Sequence, residues 1–443
     1  MQVDLSAHYG YRKLLVSSIP LILMLIVTSV YSIVDGLFVA NCAGTTAFAA
    51  LNLIWPAIML IGAMGIMTGT GGAALVSKTM GEGDRKRANE IFSMIIWFTL
   101  LAAVLLAVPL YFLMEPLALL LGADEALLAM SVRYGRILAL GLPFFVLQMC
   151  FQPFFMTAER PQLGVAVSLT CCLTNILMDA LLVWLLDYGL VGAGLATIFS
   201  QIVGALYVLW YFLRRKNDSA ISLSRCPLEP LPILKACHNG LSEYVGNISL
   251  SIVSICYNLQ LMRYIGPDGV SAYGIIMYVS FVFAAVFIGF NMTVSPIVSF
   301  HYGAGDSDEL KCLLRQSLRI VLLGGMLMTV IAEVLAEPMA AVFADGEQVL
   351  LNLTVKAIRI YMLCFVIAGV SMLVSAWFTA LNNGTVSAVV AVFRTLVFEV
   401  ACVFLLPLIL DVDGIWMSVD VAETASVLLS VFLLLRYRRR YGY

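Results

Sequence analysis

"GEGD", residues 81 to 84, returns as "GAGD" at 303 to 306, 222 residues further on. The echo is not isolated. "EPL" at 115 to 117 returns as "EPM" at 337 to 339, "VRYGRI" at 132 to 137 as "VKAIRI" at 355 to 360, and Gly192 in "GLVGAG" matches Gly414 in "DVDGIW". Matches at nearly one spacing, in one order, mark a chain built from two copies of one plan.

What is duplicated follows from composition. The 443 residues are 62% hydrophobic and only 12% charged, and the mean hydropathy is +1.00, far above that of soluble domains. A bilayer core of about 30 Å takes roughly 20 apolar residues per helix. Breaks at charged or Gly- and Pro-containing points give twelve such runs: 14–38, 46–77, 91–113, 127–156, 162–186, 192–213, 241–264, 272–299, 313–335, 349–378, 386–410 and 414–435. The sequence therefore predicts an all-α membrane protein with twelve transmembrane helices. Each copy holds an even number of spans, so both enter the membrane in the same sense and form two parallel six-helix lobes. The N-lobe is 1–213, the C-lobe 241–443, and the polar, Pro- and Ser-containing stretch 214–240 reads as a linker.

Most of the 25 Lys and Arg fall on one side of these spans, among them Arg12, Lys13, Lys78, Arg85, Arg160, Arg215, Lys216, Lys311 and Arg436. The positive-inside rule puts that side, and both termini, in the cytoplasm. The first apolar run is too long for a signal peptide and reads as the first span. A net charge of -2 with scattered cations offers no nucleic-acid surface. The ten cysteines form no CxxC pair, and His8, His238 and His301 are expected to have no metal-site neighbourhood. No cofactor is expected, and no H-x-x-x-D, GxSxG or His cluster supports an intramembrane lipid-modifying enzyme.

Two six-helix lobes flanking a cleft suit an alternating-access carrier. Ionisable residues inside spans are expensive, about 2.5 to 3.5 kcal/mol for Asp, and point to function. In the N-lobe these are Asp35 and Asp179. "LTNILMDALLVW", 173 to 184, sets Asn175 and Asp179 four apart on one helical face. Asp179 lies ~10 Å below the outer end of span five, and Asp35 and Thr197 reach similar depth on spans one and six. Two carboxylates meeting there would bind a proton, or with the amide and hydroxyl oxygens a Na+ ion. The alternative is structural, with Asp35 reaching the interface and Asn175 and Asp179 bridging helices. The C-lobe carries Glu243, Glu399, Asp420 and Glu423, with Arg394 as the expected structural partner of Glu399. Pro20, inside span one, is a candidate bending point, with a static kink as the alternative.

The run "NILMDALLVWLLDYGLVGAGLATIFSQ" (175–201), with "VDGLFVA" (34–40) and the two Gly-rich loops, resembles the multidrug and toxic compound extrusion (MATE) family along nearly the whole chain. The resemblance implies export of amphipathic, often cationic compounds against inward movement of H+ or Na+, from a bacterial plasma membrane, by a monomer. It implies a cation or proton site at Asp35, Asn175, Asp179 and Thr197 with Tyr134 beside it, and a bend at Pro20. It implies an alternative C-lobe site in which Glu243 takes one role, but span ten lacks the acid that site requires. A lipid-linked oligosaccharide flippase of the same superfamily is the closest rival, and it calls for several cleft cations to hold pyrophosphate.

Overall fold

The computed structural model describes residues 3–214, 219–227, 229–341 and 348–443. Arg215 and Lys216 of the linker lie outside the described residues. Twelve helices are long and apolar enough to cross a membrane: α1 (Tyr11–Gly36), α2 (Thr46–Gly81), α3 (Arg85–Phe112), α4 (Leu127–Thr157), α5 (Pro161–Leu185), α6 (Gly189–Leu213), α7 (Leu241–Tyr264), α8 (Pro267–Ala304), α9 (Ser307–Ala341), α10 (Gln348–Ala380), α11 (Gly384–Leu405) and α12 (Ser418–Tyr441). α1 runs through Pro20 without ending there.

The backbone carries the duplication as well as the sequence does. Left-handed or otherwise positive φ recurs at Gly44 and Gly266, Gly83 and Gly305, Glu159 and Asn382, and Asp187 and Asp411. The spacing grows from 222 to 224 as far as Asp187 and Asp411 and is 222 again at Gly192 and Gly414, so the turns between helices recur in both halves while one or two residues have been added and then lost.

Each residue of the opening motif has a task. Gly81, at the end of α2, and Gly303, at the end of α8, are where the two lobes cross. A Cβ on Gly81 would stand 2.9 Å from the Phe300 carbonyl carbon, and one on Gly303 would stand 2.9 Å from that of Lys78. The contact is pseudo-twofold, since 81 and 303, and 78 and 300, are repeat partners. Gly83 and Gly305 supply the positive φ that turns the chain. Asp84 and Asp306 then cap the next helix, accepting from Arg87 N at 2.9 Å and Glu309 N at 3.0 Å.

This end of the molecule, where both termini lie, is drawn shut by further close approaches. Gly71 meets the Ala236 carbonyl and Gly240 meets that of Met67. A strap of residues 3–9 crosses from lobe to lobe: Leu5 N donates to Glu159 Oε1 at 3.0 Å, Tyr9 N donates to Glu309 Oε1 at 2.9 Å, and His8 Nδ1 lies 2.6 Å from Glu309 Oε2.

Two expectations need correction. The stretch 214–240 is not simply a linker, because Pro230–Asn239 is a helix that buries Pro232, Ile233 and Ala236. Its proline start and short apolar stripe pack on the glycine face of α2. Segment 219–224 is also sewn to the N-lobe, with Ser222 N donating to Asn89 Oδ1 at 2.9 Å and Leu223 N to Phe212 O at 3.1 Å. At the other end, span eleven stops at Leu405 rather than 410, where a short helix, Pro407–Trp416, intervenes with Asp411 at φ 49°. Proline and a left-handed residue break the apolar run that hydropathy alone would continue.

Candidate functional site: the buried acids of the two lobes

In the N-lobe, α5 presents Asn175 and Asp179 one turn apart, both fully buried. Directly after Asp179 the helix widens into π turns over Ala180–Leu185, and α1 does the same over Val39–Ala43, one turn after Asp35. Such local widening re-aims side chains and is frequent at functional sites. Two glycines of α6 complete the layer. Gly192 lies against the Leu182 carbonyl, and Gly194 against the Tyr134 ring, which lets α6 carry Thr197 down to the level of the acids.

The Asp35 and Asp179 carboxyl groups approach each other within hydrogen-bond range. Tyr134, buried on α4, lies in the field of both and of Tyr31. Asp35 Oδ1, both Asp179 oxygens, both Asn175 side-chain polar atoms and Thr197 Oγ1 are buried without a donor or acceptor partner among the described residues. Buried polar groups are nearly always paired, so these atoms keep unused hydrogen-bonding capacity. Two touching carboxyls cannot both stay charged in low dielectric unless a proton or cation lies between them. The structure thus brings Asp35, Asp179 and Tyr134 together. Asn175 and Thr197 share their buried layer without a hydrogen bond to either acid. Tyr31, one turn before Asp35, is a neighbour that the sequence reading missed, although its i, i+4 spacing was the available signal.

The C-lobe acids gather differently. Arg394 does not take Glu399 as its ion-pair partner: its Nε and Nη2 lie 2.7 and 2.6 Å from Glu423 Oε1 on α12. Ser371 of α10 donates to the other Glu423 oxygen at 2.8 Å. With the guanidinium engaged by Glu423, Glu399 remains beside it only at electrostatic range, as does Glu243. Asp420 faces Glu423 and the Cys364 backbone. α10 therefore contributes a hydroxyl where an acid is absent. Three acids, Glu423, Glu399 and Glu243, lie around one arginine, and the first is neutralised by its bond to that cation.

At the closed end, His8 corrects a further expectation. Its ring, Glu309 and Cys312 bring possible metal-ligand atoms within 4.8 Å of one another. The residues are some 300 positions apart, so spacing along the chain could not reveal them. His301 lies 3.7 Å from Asp306.

The MatE family model matches residues 20–181 and again 244–405, one match in each lobe and together most of the chain. The chain belongs to the MatE family. It is 21% identical over 430 residues to the multidrug export protein MepA of Staphylococcus saprophyticus, covering 97% of this chain and 94% of that protein. A MepA of Staphylococcus aureus is 20% identical over 440 residues with the same coverage. Among solved structures, a MATE protein in complex with MaL6 matches with a TM-score of 0.92 at 20% identity, over 99% of this chain and 97% of the other. An outward-facing multidrug resistance MATE family transporter matches at 0.89 and 21%, with the same coverage. A Pyrococcus furiosus transporter of the MOP superfamily, described by the reversed polarity of its binding pocket, matches at 0.90 and 21%, again with the same coverage. This MatE chain is thus a multi-pass membrane protein with the MATE fold, and its named relatives are export proteins rather than enzymes.

Proposed function

We propose that this MatE protein exports amphipathic, often cationic organic compounds by alternating access, in exchange for H+ or Na+ bound at Asp35 and Asp179. The observation that carries the reading is the buried carboxyl pair, without a protein cation and surrounded by the unpartnered Asn175 and Thr197. Such a pair accepts one positive charge, and its release changes the electrostatics of the whole lobe. Names of the relatives support export of drugs. In the same reading both termini face the cytoplasm, so the closed end is cytoplasmic and the molecule opens outward. The flippase alternative is less well supported, because the half-buried Arg394 of span eleven is already bonded to Glu423.

The test is dye transport by purified protein in proteoliposomes with pH and Na+ gradients imposed separately. Efflux driven by one gradient and abolished by Asp179→Asn is expected. Transport indifferent to both gradients, or driven normally in the Asp179→Asn protein, would overturn the proposal.

A further inference from the structure

Beside the strap, between the first turn of α1 and the start of α9, is a cavity of about 390 Å³ lined by Tyr11, Asp308, Lys311, Arg315, Gln316 and Arg319, together with Cys312. Its charges are unevenly matched. Asp308 bonds Lys311 at 2.8 Å, and Arg319 Nη1 donates to Tyr11 Oη at 2.8 Å. Arg315 has no acidic partner among the described residues, and neither does Arg319. The buried Gln316 donates to Cys312 Sγ at 3.0 Å, while its carbonyl oxygen has no donor.

Position within the bilayer decides what this cavity meets. α9 has 35 residues, about 52 Å at 1.5 Å each, against ~30 Å of hydrocarbon. Sharing the excess between its ends leaves ~11 Å outside the hydrocarbon at each, so Lys311 lies outside it, Arg315 at its edge, and Arg319 roughly 7 Å inside, within snorkelling reach of the headgroups. The ridge that carries Arg315 and Arg319 continues four residues later into Leu323, which is 67% exposed. Across the cavity, Tyr11 is followed at the same spacing by exposed Leu15 and Ile19. One cation at the headgroup edge and a second one turn deeper that snorkels toward it, with apolar ridges rising on both sides, match an anionic lipid rather than a soluble anion.

We propose that this cavity binds the phosphodiester headgroup of an anionic phospholipid, with Arg315 and Arg319 holding the phosphate. Tyr11 and the Gln316 carbonyl oxygen are then available to hydroxyls of a glycerol headgroup, and the acyl chains lie against Leu15, Ile19 and Leu323. A basic pocket between helices at the membrane edge is suited to this role. The site is far from the buried acids and independent of the transport reading.

The experiment is native mass spectrometry of the full-length protein after detergent exchange, with phosphatidylglycerol and phosphatidylcholine of identical chains as probes. Phosphatidylglycerol should be retained preferentially, and the preference should fall about 30-fold in Arg315→Gln/Arg319→Gln if each arginine acts as a surface cation does. Arg439→Gln/Arg440→Gln, which removes the same charge elsewhere, should leave it intact, and Arg315→Lys/Arg319→Lys should preserve most of it. Thermal melting of each variant verifies folding. Equal retention of the two lipids, or equal loss in the two Gln pairs, would overturn the site. Displacement of the lipid by millimolar inorganic phosphate would assign the cavity to a soluble anion and overturn the lipid.

Discussion

Consider Gly303→Ala. The new methyl carbon would stand 2.9 Å from the Lys78 carbonyl carbon, 3.1 Å from its Cα, and nearer still to the oxygen. Ordinary carbon contacts are about 3.5 to 4.0 Å, so α2 and α8 must part by roughly 1 Å, and the obstacle is backbone that has no rotamer to change. Overpacking of this kind costs about 1 to 3 kcal/mol. The strain exists only where the lobes touch, so it falls on the closed state and not on a state with this end open. The closed population should drop by about 5- to 150-fold relative to the open one. Hydrogen-exchange mass spectrometry on the full-length protein reads this directly, as faster exchange at residues 78–84 and 300–306. Gly81→Ala should act alike, because Gly81 makes the repeat-related contact with Phe300. The double variant should show less than the summed effect, since both substitutions open one crossing. Unchanged exchange in a folded Gly303→Ala protein would refute the idea that this crossing holds the lobes together.

The other expectations follow from the same structure. Asp35→Asn and Asp179→Asn should each nearly abolish gradient-driven efflux, with the double variant little worse, because the carboxyls act as one unit; additive partial losses would separate them. Glu423→Gln leaves Arg394 without its charged partner, and loss of one member of a buried pair costs about 3 to 5 kcal/mol, so the melting temperature should fall well below that of Glu399→Gln. Equal melting of the two variants would contradict the pairing. Burial pushes the Glu159 carboxyl above its ordinary range, against the opposing pull of Leu5 N. An acid whose folded pKa is raised binds its proton more tightly when folded, so this group's contribution to the stability of the fold is lost as pH rises from about 4 through the folded value. Glu159→Gln keeps the acceptor and should flatten that dependence, measured as melting temperature against pH.

The twelve spans were legible because each rests on a local property, a run of apolar residues as long as the bilayer is thick. Tertiary partners were not. Arg394 and Glu399 share a helix, which made them an obvious pair on paper, whereas the bond to Glu423 depends on how α11 meets α12. The helix Pro230–Asn239 was hidden by its brevity and by the polar residues around it, and its docking on Gly71 and Gly384 has no local signal. His8 meets Glu309 because the strap crosses between lobes, a contact with no local signal. The acid layer of the N-lobe lay between these cases: its four-residue spacing on α5 could be read, and its meeting with Asp35 and Tyr134 could be expected only from depth.

The opening motif shows why the repeat is visible at all. Gly83 and Gly305 must turn the chain, Asp84 and Asp306 must cap a helix, and Gly81 and Gly303 must let two backbones approach. Each demand is stereochemical and applies twice, so drift in the two halves has been held at the same positions. The intramembrane acids answer to no such shared demand. Asp35 has Tyr257 at its repeat position, a residue stacked at 4.7 Å on Tyr273, and the C-lobe acids collect around an arginine instead. A common backbone plan therefore carries two different charge arrangements. Among the described residues the N-lobe pair has no protein cation beside it, whereas in the C-lobe Glu423 is held by a resident guanidinium and a serine hydroxyl. Under the proposed exchange of one cation per cycle, the first arrangement is the one that can pick up and release it, and a lobe that keeps its shape while the other changes charge is well served by the second.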